Sequence, residues 1–122
     1  MKPHAWIAVG ALSGALTIVF GAFGAHALER KIPAPDLLIW MKGVQYQGLH
    51  ALALVLFGIA LQVRPRRCFG GWGFLLGSAI FSGTLYAMVL GAPRWLGAIT
   101  PVGGTLMILG WLAFAWSAVR AR

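Results

Sequence analysis

The stretch GAFGAHALERKIPAPD, residues 21–36, decides how this chain is read. An unbroken apolar run from Ala5 to Phe23 leads into it, and a second one opens at Leu37. A bilayer crossing needs about 20 apolar residues, so the first run is long enough to span. Glu29, Arg30 and Lys31 then bring charge, and Pro33 and Pro35 keep one helix from continuing into the next. The chain must leave the membrane and return. Asp36 is placed to accept from the freed amides of the returning helix as its N-cap.

Outward from this turn the pattern repeats. Spanning helices are expected near residues 5–27, 37–62, 70–91 and 101–119 of a 122-residue chain, as one membrane domain over 1–122. Thr100 and Pro101 mark the start of the last helix in the same way as Asp36 marks the second, with proline tolerated at the first helical position. With 60% hydrophobic and 10% charged residues, and a mean hydropathy of +0.83, this is an all-α polytopic membrane protein, a compact four-transmembrane-helix bundle. Lys2 followed by an apolar run and Ala25-His26-Ala27 resembles a secretory signal. The run from Ala5 to Phe23 exceeds the usual signal core of about 7–15 residues, so a retained helix is expected.

The net charge of +8 does not imply a nucleic-acid partner, because the ten Lys and Arg fall singly or in threes between apolar runs. Four crossings put Lys2, Arg64, Arg66, Arg67, Arg120 and Arg122 on one side, and Arg30, Lys31, Lys42 and Arg94 on the other with both acids, Glu29 and Asp36. Six against four favours an inner-membrane protein with both termini cytoplasmic. Trp6, Trp72 and Trp116 are expected at the cytoplasmic interface, and Trp40 and Trp95 at the other. The segment GAPRWLGAIT should lie along the surface. Trp40 and Val44 should face lipid, with Lys42 and Gln45 facing water. The single cysteine, Cys68, excludes an internal disulfide.

Helices in lipid associate through close approach of small residues. Gly10 and Gly14 form one G-x-x-x-G, and Gly73 and Gly77 form another, which hints at a duplicated hairpin. The polar side chains gather away from the termini: His26, Tyr46, Gln47, His50, Ser82, Thr84, Tyr86 and Thr100, with only isolated groups such as Ser13 and Ser78 in the other half. Tyr46, Gln47 and His50 are three or four residues apart and should share a face, as should Ser78, Ser82 and Tyr86. Unpaired polar groups in hydrocarbon cost several kcal/mol, so these faces are expected to meet, with His26 joining them.

Two readings of this cluster stand side by side. It is a structural clamp fixing helix ends, or it lines a small-molecule, quinone or haem site or a proton path. Two histidines with no carboxylate or thiolate beside them are too few for a metal, and no cofactor is expected. No G-x-S-x-G, phosphate loop or H-E-x-x-H is present, and no catalytic residue is assigned. His4 reads as an exposed terminal residue. The chain is therefore expected to be a non-enzymatic structural, accessory or partner-binding subunit, in contact with the lipid bilayer and with a membrane-protein partner or a second copy of itself. Transport would need a route through the half that is poor in polar groups.

GAFGAHAL at 21–28, YQGLHALAL at 46–54, FSGTLY at 81–86 and WLGAITPVGG at 95–104 resemble, in order, the signatures of the small four-helix membrane proteins called transmembrane protein 256, or domain of unknown function 423. The resemblance implies a multi-pass membrane protein and carries no reaction, substrate or cofactor. Its motifs fall on His26, Tyr46, Gln47, His50, Ser82, Tyr86, Thr100 and Pro101.

Overall fold

In the computed structural model, which describes residues 1–120, the four apolar runs are four helices long and apolar enough to cross a membrane. They are α1 (Pro3–Phe23), α2 (Ala34–Val63), α3 (Gly70–Val89) and α4 (Thr100–Arg120). A wide π turn, Gly24–Leu28, extends α1, and a short 3-10 turn, Arg94–Ala98, precedes α4. Among the described residues there is no strand. Arg122 lies outside them.

The start of α2 departs from expectation. Pro33 is its extended N-cap and Pro35 lies in its first turn, where the missing N–H is no loss. The helix therefore begins three residues before Leu37. Asp36 is inside that turn rather than at the cap, and its carboxylate accepts from Arg94 Nη2 at 3.4 Å. Thr100 likewise opens α4, but its hydroxyl donates to the Leu96 carbonyl at 3.2 Å.

Each helix packs on the next, α1 on α2, α2 on α3 and α3 on α4, and glycine makes the approach possible. A β-carbon on Gly10 would lie 2.8 Å from the Ala51 carbonyl oxygen and from Val55. On Gly73 and Gly77 it would lie 2.8 Å from the Leu106 and Gly103 carbonyl oxygens. Gly14 is different, since its β-carbon would reach only Ala51 Cβ at 4.0 Å. Close backbone approach lets dispersion act where lipid supplies no hydrophobic drive.

The core has two centres. Near the termini, Trp6, Leu54, Phe57, Leu61 and Phe74 are buried together, with Phe114 packed against them. At the other end are Leu28, Trp40, Val44 and Val89. Trp6 and Trp40 are therefore turned into the bundle rather than toward lipid. Trp6 lies over Gly71 and edge-on to Phe57, and Trp40 lies against Gly24, Phe20 and Tyr86. Val44 is also buried, so the expectation that Trp40 and Val44 face lipid fails. The glycine opposite each indole makes an inward pocket that a sequence pattern based on depth does not register. Trp72, Trp95 and Trp116 remain exposed.

Candidate functional site

The interior polar side chains form two hydrogen-bonded groups on opposite flanks of α2. The first lies between α1, α2 and α3. Tyr86 Oη donates to Gln47 Oε1 at 2.7 Å, and Gln47 Nε2 donates to the Ser13 carbonyl at 3.4 Å, so three helices are joined through one amide. Ser82 Oγ donates to the Gly43 carbonyl at 2.7 Å. The ring of Tyr86 fits because Gly43 has no side chain; a β-carbon there would come within 2.6 Å of Tyr86 Cε1. Ser13, Gln47, Ser78, Ser82 and Tyr86 line a cavity of about 220 Å³. The stripe expected on α3 thus does meet α2, and Ser13 and Ser78 are part of its lining rather than isolated groups.

The second group lies between α2 and α4. Trp111 Nε1 donates to His50 Nε2 at 3.0 Å, and His50 Nδ1 lies 2.8 Å from the Tyr46 carbonyl. A ring nitrogen that accepts an indole N–H cannot also carry a proton, so Nδ1 holds the hydrogen and donates to that carbonyl. His50 is 2% exposed and packs against the Phe74 ring. The Tyr46 side chain turns outward, 39% exposed, against Phe81. Thr100 stands apart from both groups, its hydroxyl 2.7 Å from that of Thr84.

Two expectations are corrected here. Tyr46 and His50, four residues apart, do lie on one flank of α2, but Gln47 does not share it, and α3 separates the flank reached by Gln47 from the flank reached by His50. His26 does not join either group. Gly24 and Leu28 turn inward from the π turn, which leaves His26 exposed on its outer side. Depth differs too. His50 lies sixteen residues after Ala34 and thirteen before Val63, so the His50–Trp111 pair is near the middle of the bundle.

Trp111 was missed by sequence reasoning. The available signal was its place in the centre of an apolar run, far from either interface, where an indole N–H requires an acceptor. Among the described residues, no three His, Cys, Asp or Glu side chains come together as a metal site, and every buried side-chain nitrogen and oxygen has a hydrogen-bond partner. The arrangement can hold helices in register. It presents no nucleophile beside a base and no paired acids.

A family model described as "Protein of unknown function (DUF423)" matches residues 20–104. This chain belongs to that family. It is similar to a UPF0382 membrane protein of Staphylococcus haemolyticus, 43% identical over 108 residues and 88% of each chain. It is also similar to the UPF0382 membrane protein YwdK of Bacillus subtilis, 40% identical over 120 residues, covering 94% of this chain and 96% of the relative. No solved structure matches it. Together with the four spans, these relatives establish an integral membrane protein of a family to which no activity is assigned. The matched span holds Gln47, His50, Ser82 and Tyr86, while Ser13 and Trp111, which complete their bonds, fall outside it.

Proposed function

We propose that this protein is a non-enzymatic structural or partner-binding subunit of the inner membrane, and that its polar groups are an internal clamp. The observation that carries this reading is mutual satisfaction. Tyr86, Gln47, Ser82, His50 and Trp111 direct their polar atoms at one another or at backbone carbonyls. A ligand site or proton path of the same residues would want at least one of them turned toward an occupant or toward water.

The test is cross-linking and co-purification from native membranes, with wild type beside Tyr86→Phe and His50→Gln. The clamp reading expects the same partners from all three proteins and lower unfolding midpoints for the variants. Loss of a partner at unchanged midpoint, or a chromophore that disappears with either substitution, would falsify it.

The orientation we propose has both termini cytoplasmic, supported by the six basic residues on that side against four on the other. Cys68, in the connection between α2 and α3, is the only thiol and half-buried. A membrane-impermeant maleimide added to intact spheroplasts should leave it unlabelled, and label it after lysis. Labelling before lysis reverses the orientation.

A further inference from the structure

The connection from α2 to α3 carries a second polar feature, at the end of the bundle that holds the termini. Arg64 precedes Pro65 and is forced into an extended conformation, which stops α2 at Val63. The chain then passes beside the last turns of α4. Arg66, half-buried, donates from Nε to Ser117 Oγ at 3.2 Å and from Nη1 to the Arg64 carbonyl at 3.2 Å. Ser117 is itself buried and donates to the Phe114 carbonyl at 2.8 Å. The Arg66 guanidinium is therefore held in place by two of its five donors, and three remain for another acceptor. Arg67 and Arg120 stand beside it, and these three arginines with Ser117 line a pocket of about 160 Å³.

Charge makes the pocket unusual. The chain has two acidic side chains, Glu29 and Asp36, and both are at the opposite end of the bundle, where Asp36 engages Arg94. Among the described residues no acidic side chain lines the pocket, and three guanidiniums brought together in this way repel one another. A positive-inside bias asks only for basic residues on one side of the membrane. It does not ask that two separate segments converge on a buried serine. A pocket that holds a fixed fork of donors and excess positive charge is suited to a phosphate oxyanion. Its depth agrees with a headgroup: Trp116, one turn before Arg120, and Trp72 are exposed at this end, as interfacial indoles are.

We propose that Arg66, Arg67, Arg120 and Ser117 form a site for a phosphate-ester anion, supplied by the headgroup of an acidic phospholipid in the leaflet that meets the termini. Arg66 is the positioned donor. Arg67 and Arg120 supply field, and Ser117 anchors Arg66.

The full chain, reconstituted in an equal mixture of phosphatidylglycerol and phosphatidylcholine and then released into detergent, tests this by native mass spectrometry of retained lipid. Wild type should retain phosphatidylglycerol preferentially. Arg67→Gln and Arg120→Gln, both exposed and outside the packed core, should each lower that preference about fivefold. Arg66→Lys, which keeps charge but not the fork, should lower it as well. Lys2→Gln is the control, a basic residue at the same end but outside the pocket, and should leave the preference unchanged. An effect of Lys2→Gln equal to that of Arg67→Gln overturns the site in favour of diffuse attraction, and so does the absence of any preference in wild type. Adding excess inorganic phosphate separates the sources. Lipid that stays bound assigns the site to a headgroup. Lipid that is displaced, with phosphate bound in its place in wild type and not in Arg67→Gln, keeps the oxyanion site and assigns it to a soluble phosphate.

Discussion

Near the termini the bundle is closed mainly by rings and glycines, Trp6 over Gly71 and Phe57 against Phe74, with the Arg66–Ser117 bond at its margin. From the middle to the opposite end, apolar packing around Trp40 and Val44 is joined by hydrogen bonds between helices: Tyr86 to Gln47, Ser82 to Gly43, Trp111 to His50. The difference is one of tolerance. Dispersion between close surfaces is strong in sum but permits sliding, because a ridge one turn away offers nearly the same contact. A hydrogen bond has one acceptor at one height. The polar half therefore sets the register that the apolar half tightens.

Substitutions can break this contrast, and the largest effect belongs to the ring cluster. Phe74→Ala removes a fully buried ring that touches Phe57, Trp111, Phe114 and His50, and should cost about 4 kcal/mol, read as reversible unfolding in mixed micelles. A loss below about 1 kcal/mol would mean that this half does not carry the packing.

Next come the two glycine pairs, which look equivalent in sequence. Gly77→Ala places a methyl 2.8 Å from the Gly103 carbonyl oxygen and should destabilise by about 2 kcal/mol, whereas Gly14→Ala meets nothing closer than 4.0 Å and should be neutral. Equal effects in the same assay would contradict the unequal packing of the two hairpins.

The smallest effects sharpen the polar side. Tyr86→Phe leaves Gln47 Oε1 without its donor and should cost about 1 kcal/mol, since interhelical bonds in membranes are modest. His26→Gln, at an exposed position, should leave the midpoint unmoved. A drop for His26→Gln as large as that for Tyr86→Phe would put the first histidine back in the clamp.

The spans were legible because apolar length is a property of composition, and the α3 stripe of Ser78, Ser82 and Tyr86 was legible because a period of four survives any choice of neighbour. Two kinds of feature were not. The exposure of His26 depends on a π turn, whose extra residue per turn rotates everything after Gly24 and leaves no mark in the letters. The separation of Gln47 from His50 depends on where α3 and α4 dock around α2, and a single helix cannot report the azimuth of its neighbours. Asp36 was misread for a simpler reason: a proline in the first turn looks like a boundary but is compatible with helix.

The bond from Trp40 Nε1 to the Phe20 carbonyl, 2.9 Å long, crosses from α2 to the last turns of α1 just before the backbone widens at Gly24. The residue that secures the exit of the first segment thus lies twenty positions downstream of it. That exit is completed by a donor from the second segment. The two strokes of the hairpin are therefore one unit of structure, because the second supplies the bond against which the first one ends.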